Sequence, residues 1–191
     1  MAIILAAASP VERVQSLPKE DGLVALDVDY RRQINASACG AAALESVLSY
    51  WGNKSLNQRQ ILKNHPPKSQ DSDYSMGEMK RIASGLGFKS FVVEADDAFL
   101  LKQLKLGRPL IVPVTLEYGE EEMKALGLTG EDYQRVREKH DLRYNHYLVI
   151  IGYGKDGFVA LDPAKGIYMI EKPGLDKIRA PQQMAALLIA L

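Results

Sequence analysis

The chain has a single cysteine in 191 residues. This excludes an internal disulfide and a cysteine-built zinc site, and it leaves the compartment open, because an exported enzyme can also keep one reactive thiol. Net charge is absent too: 24 Lys and Arg balance 24 Asp and Glu, so there is no basic field to gather nucleic acid or anionic lipid. No apolar run reaches the length of a membrane span. There is no internal repeat and no low-complexity tract. With three histidines in all, any imidazole chemistry must use His65, His140 or His146. What the sequence does have is 47% hydrophobic and 25% charged residues, the balance of a folded globular domain, at a length that suits one well-buried core.

The cysteine has a particular setting, Gln33-Ile34-Asn35-Ala36-Ser37-Ala38-Cys39-Gly40-Ala41-Ala42. From Leu44 onward, Leu44, Val47, Leu48 and Trp51 fall at i, i+3, i+4 and i+7, the stripe of one buried helical face, and Gly52 suits the left-handed residue that ends such a helix. Cys39 therefore belongs in or just before the first turn. Unsatisfied N–H groups and the helix dipole favour an anion there, which lowers a thiol's pKa toward the reactive thiolate. Ala38, Gly40, Ala41 and Ala42 leave the sulfur uncrowded. A lone cysteine taken by itself is more often a buried structural residue, so the partners of a nucleophile have to be sought.

Along the rest of the chain, Leu23 to Tyr30 reads as a strand, Asn53 to Asn64 as a short helix stopped by His65-Pro66-Pro67, and 68–74 as a polar loop. Ser75 with Glu78 forms a capping box for a helix whose apolar face is Met76, Met79, Ile82, Ala83 and Leu86. Phe88 to Val93 is a strand, Asp96 to Leu106 a helix, and Leu110 to Leu116 a strand in which Pro113 marks an edge or a bulge. Residues 117–143 form a charged excursion with a helix over Glu131 to His140. Three β-runs follow, Tyr147 to Tyr153, Phe158 to Leu161 and Ile167 to Ile170. The glycine turns between them give an antiparallel meander. Ala185 to Leu191 is a last strand or a short helix. Helices early and antiparallel strands late make the class α+β. Residues 1–22 read as a lead-in, the remnant of a signal segment or else a short apolar tail, and 23–191 as one domain.

A thiol nucleophile needs a base and a group that orients the base. His65 precedes a Pro-Pro pair in a turn, and His140 suits the C-terminal end of a charged helix. His146 differs from both: it enters an almost purely apolar β-run, where it is held stiffly at the edge of a cleft. Asp162 closes the next strand before Pro163, where a hairpin lets the carboxylate meet the imidazole. The alternatives are that Asp162 is only a turn-former and that Asp141 is the orienter. Gln33 can donate its side-chain amide to a developing oxyanion, together with the Cys39 N–H.

Gln33, Cys39-Gly40 opening a helix, His146-Tyr147 entering a strand that runs into Gly152-Tyr153, and Asp162-Pro163 a hairpin later together resemble the papain-like fold. Within it they resemble the bacteriocin-processing, double-glycine leader peptidases, over roughly residues 24 to 170. The resemblance implies Cys39 as nucleophile, His146 as general base and acid, Asp162 as orienter and Gln33 as oxyanion donor. It also implies a thioester intermediate, no metal and no organic cofactor. The implied function is a cysteine endopeptidase that cleaves a secreted peptide or protein precursor after small residues such as Gly-Gly, with an export system as partner, no nucleic acid, and no membrane span in this chain. Many relatives are the front domain of a peptide-exporting transporter, whereas this sequence reads as a stand-alone member with a longer insertion at 117–143, either a lid or docking surface or a passive loop. Two alternatives remain: an amidase or transpeptidase using the same site, and a non-catalytic peptide-binding module on the same fold. An exported or periplasmic location is expected, with a cytoplasmic one as the alternative.

Overall fold

The apolar run after His146 lacks the alternation of a half-exposed strand because both of its faces are covered. It lies in β4 (Arg143–Tyr153). Tyr147, Val149 and Ile151 belong to one buried cluster, Leu148 and Ile150 to the other, as the two-residue period of a strand requires. The structure, a computed structural model, describes residues 22–68, 74–119, 134, 138 and 142–191.

Among the described residues β4 is joined by β1 (Val24–Ala25), β2 (Lys89–Glu94), β3 (Leu110–Glu117), β5 (Gly157–Asp162), β6 (Gly166–Glu171) and β7 (Ala185–Ala190). They form one seven-stranded sheet in the order β2-β7-β3-β4-β5-β6, with β1 beside the far end of β4 and every pairing antiparallel. The expected meander is β4-β5-β6. On one face lie α1 (Cys39–Tyr50), α2 (Gln58–Asn64) and α3 (Met76–Gly85), whose Leu44, Leu48, Ile61 and Met79 meet Val149 and Leu161. On the other, α4 (Asp97–Lys105) and α5 (Lys172–Arg179) bring Leu100, Leu104 and Leu175 onto Ile150 and Phe158. The class is α+β, as expected. Truncating any one of these fully buried leucines to alanine costs roughly 2–5 kcal/mol.

Local signals explain most of the elements. Asn57, Ser75 and Asp96 cap α2, α3 and α4 with side-chain oxygens, the first two as full capping boxes with Gln60 and Glu78. Gly52 ends α1 at φ +92. Pro113 falls where β3 pairs with β4 alone, because β7 reaches only Leu110 and Ile111; this is the edge position a proline requires. Gly152 is obligatory, since a Cβ there would lie 2.3 Å from the Val24 carbonyl oxygen.

Several expectations need correction. The strand expected over Leu23 to Tyr30 is only Val24–Ala25, because β3 occupies the edge of β4 from Ile150 back to Arg143 and leaves β1 only Gly152 and Tyr153. α1 buries more than one stripe: Ala41, Ala42, Ala43 and Ser46 are also fully buried, since their small side chains admit neighbours on every side. β4 starts at Arg143, so His146 lies inside the strand and not at its entry. The last segment is a strand, inserted between β2 and β3. α5 was not anticipated, although Pro173 in its first turn and Lys177 and Arg179 in its last are recognised end signals. The charged excursion is pinned at its two ends, by the Glu117–Arg143 pair and by the Tyr118 N–H donating to the Leu142 carbonyl at 3.0 Å. Within the helix expected over Glu131 to His140, Gln134 and Glu138 are described, both helical and exposed. His140 and Asp141 lie outside the described residues, as do 1–21.

Candidate active site

The entry to α1 is shaped by Asn35. Its Oδ1 accepts from the Ser37 N–H at 3.0 Å and its carbonyl from the Ala38 N–H at 3.3 Å, a turn that asparagine makes readily. The residue that then precedes the helix is Ala38, which offers no side-chain cap, and the first turn carries no acidic residue. The positive end of the helix dipole is thus not neutralised by a carboxylate of its own. Cys39 is the first residue of this helix, 3% exposed.

His146 and Asp162 are brought together. His146 Nε2 lies 2.8 Å from Asp162 Oδ1, across the β4-β5 pairing, with both residues buried. With Nε2–H given to the carboxylate, Nδ1 is the ring nitrogen left for acid–base work. Asp162 Oδ1 also accepts the N–H groups of Ala164 at 2.7 Å and Lys165 at 3.3 Å, and Oδ2 accepts the Tyr168 hydroxyl at 3.4 Å. Burial pushes the Asp162 carboxyl up. The His146 hydrogen bond and charge, helped by the two backbone N–H groups, outweigh it and hold the carboxyl below its ordinary value. Tyr168 shifts the other way: burial, then the neighbouring Asp162 charge, raise its phenol above the ordinary value, with Tyr144 adding to the effect.

Gln33 joins this corner through its backbone. Its N–H donates to the Pro163 carbonyl at 2.9 Å, and the Tyr30 hydroxyl reaches the same oxygen at 3.3 Å. Its side-chain Nε2 donates to the Asn35 carbonyl at 2.9 Å, which uses one of the two amide protons and leaves the other. Its Oε1 is buried and has no hydrogen-bond partner among the described residues. Cys39 shares a buried cluster with Tyr147 and Leu161, the chain neighbours of His146 and Asp162. The segment running from Tyr30 to Cys39 is therefore fastened to the turn that carries the carboxylate. His65 is elsewhere: it ends α2 and lines a cavity with Pro66, Tyr74 and Ile82 that includes none of these residues.

Sequence reasoning missed two side chains here. Tyr168 holds the second oxygen of Asp162, and the only signal for it is its place two residues beyond the turn glycine, Gly166. Gln58, at the start of α2, bonds to the Arg32 carbonyl at 2.8 Å and the Ile34 N–H at 3.0 Å. No pattern in the sequence connects it to residues 24 to 26 positions away.

Three comparisons bear on this arrangement. The sequence model of the Peptidase_C39 like family matches residues 25–178, a range that contains every residue named at the corner. No curated protein matches the chain. Among solved structures, one described as a C39-like peptidase from Bacillus anthracis superposes with a TM-score of 0.63 at 14% identity, over 88% of this chain and 98% of that one. The peptidase domain of Streptococcus ComA, a bifunctional ABC transporter of a quorum-sensing pathway, gives 0.58 at 20% identity, over 84% and 96%. A double glycine motif protease from an AMS/PCAT transporter, in complex with its leader peptide, gives 0.58 at 19%, over 88% and 97%. At these identities the structural likeness is one of fold.

Proposed function

The chain belongs to the Peptidase_C39 like family, and on that premise we propose that Cys39 is the nucleophile, His146 the base and acid, Asp162 the orienter and Gln33 an oxyanion donor of a cysteine peptidase that cleaves a peptide precursor after a small pair such as Gly-Gly. The observation that carries this reading is the buried 2.8 Å contact of His146 Nε2 with Asp162 Oδ1. That contact fixes the imidazole, and in this reading Nδ1 serves as the base for the thiol.

In this reading Cys39 gives its proton to His146 Nδ1, and the thiolate attacks the scissile carbonyl carbon. A C–S bond forms, and the carbonyl electron pair moves to oxygen, where the Cys39 N–H and the remaining Gln33 Nε2 proton receive it. Collapse of this intermediate breaks the C–N bond, and His146 passes its proton to the leaving amine. Water then attacks the thioester, gives a proton to His146, and releases the acid with the thiol restored. Asp162, charged throughout, stabilises the imidazolium and does not itself take the proton. A leader-type peptide handed on to an export system is the substrate class that the double glycine motif neighbour supports.

The test is cleavage of synthetic leader-type peptides with and without Gly-Gly, read by mass spectrometry, for the intact protein and for Cys39→Ala. Hydrolysis after Gly-Gly by the intact protein alone is the expected result. Transfer of the acyl group to an added amine in preference to water would make the protein a transpeptidase. Binding of the peptides without turnover would overturn the reading in favour of a binding module.

A further inference from the structure

Gln58 is 7% exposed, and its side chain is spent entirely on the segment that precedes Cys39. Its Nε2 donates to the Arg32 carbonyl at 2.8 Å, and its Oε1 accepts the Ile34 N–H at 3.0 Å. These groups belong to the two peptide bonds that flank Gln33. A primary amide carries a donor and an acceptor in one plane, so a single side chain can hold both peptide groups at once. Gln58 is itself anchored to α1, because its backbone N–H donates to Glu45 Oε2 at 2.9 Å. Glu45 Oε1 lies 3.2 Å from Arg31 Nε, which adds a second tie between α1 and the same segment. On its other side Gln33 is fastened by its own N–H to Pro163. The backbone of Gln33 is thus gripped between α2 and the turn that follows Asp162.

We propose that Gln58 is a positioning residue for the oxyanion donor: it fixes the backbone on both sides of Gln33, so that the Gln33 amide stands in register with the Cys39 N–H. The proposal rests on the peptidase reading. It gives α2, which contributes no reacting group, a defined part in the chemistry. A donor displaced by about 1 Å loses most of its value to a developing charge.

Two reactions of Cys39 separate this role from plain stability. Acylation by p-nitrophenyl acetate forms the Sγ–C bond at a carbonyl, passes through an oxyanion and expels p-nitrophenolate. Alkylation by iodoacetamide forms an Sγ–CH2 bond by direct displacement of iodide, and no oxyanion arises. Gln58→Leu is expected to slow acylation about tenfold or more while alkylation at the same pH is unchanged. In a Gln33→Ala background the same substitution is expected to add nothing, because Gln58 acts only through Gln33. Gln58→Glu, which keeps an acceptor for Ile34 but has no donor for Arg32, gives the same split if the leucine variant does not fold. Equal slowing of both reactions, no slowing of acylation, or a full additional loss in the Gln33→Ala background would each overturn the proposal. If wild type acylates no faster than an ordinary thiol, the peptidase reading fails and this proposal falls with it. If wild type acylates well and Gln33→Ala is slow but Gln58→Leu is not, this proposal alone fails.

Discussion

Two helices on the same face of the sheet begin in opposite ways. At α3, Ser75 and Glu78 close a capping box, and the Glu78 carboxylate also accepts the Lys68 N–H at 3.0 Å, so side-chain oxygens already occupy that helix end. At α1, Ala38 supplies no cap and the first turn has no acid, although an uncapped end forgoes about 1 kcal/mol. The same carboxylate chemistry does appear at the candidate site, but there it is Asp162, placed against an imidazole. One helix end is finished for stability. The other carries neither a side-chain cap from Ala38 nor an acid in its first turn, which is what the proposed nucleophile at Cys39 requires of it.

Removing the carboxylate at the corner should give the largest effect. Asp162→Asn is expected to lower peptide cleavage by roughly 10³–10⁴-fold, because the amide donates where the carboxylate accepted and so favours the wrong imidazole tautomer. Steady-state rates on a cleaved leader-type peptide check this. Tyr168→Phe, which removes only the hydroxyl on Asp162 Oδ2, is expected to lower the rate about tenfold, with a Tm fall of a few degrees for the lost bond to a buried carboxylate. A pH–rate profile should show the acid limb moving to higher pH, because the carboxylate loses a hydrogen bond to its charged form. Ser75→Ala works on the other side of the comparison. It should cost about 1 kcal/mol, a Tm fall of roughly 2–4 °C at this chain length, and leave the reactivity of Cys39 untouched.

The smallest effect is in acid. Both carboxyls are held below their ordinary values, Glu78 chiefly by the Ser75 hydroxyl and N–H, and Asp162 by His146 against its own burial. Their folded-state pKa values are depressed, so the stability they contribute is present above the unfolded carboxylate pKa of about 4 and is lost as pH falls through the folded values. The stability gap between wild type and Asp162→Asn should therefore narrow on acidification below that pH, as followed by thermal melts, and the same should hold for Glu78→Gln.

The parts legible in the sequence are those that short-range rules decide. The capping box at Ser75, the 3.6-residue stripe of α1 and the glycine turns of the meander all carry their signal within a few residues, whereas the start of α2 at Gln58, capped by Asn57, lies inside the helix expected from Asn53. Cys39 and His146 stand out as candidates through scarcity, with one thiol and three imidazoles in the chain, and the meeting of His146 with Asp162 was legible from the place of Asp162 at the end of the neighbouring strand. Gln58 and Tyr168 were not legible, because a glutamine in a helix and a tyrosine in a strand are ordinary residues until tertiary packing sets them against Gln33 and Asp162. The strand from Leu23 to Tyr30 was over-read for the same reason: its β-formers are real, but the edge of β4 was already taken by β3.

The central claim is that Cys39 and His146 act as a pair, and the rate of Cys39 alkylation by iodoacetamide against pH, in wild type and in His146→Ala, tests it most directly. Wild type is expected to react well below the ordinary thiol pKa of about 8.5, and His146→Ala to lose that low-pH reactivity. Equal profiles for the two proteins, rising together near the ordinary thiol value, would contradict it.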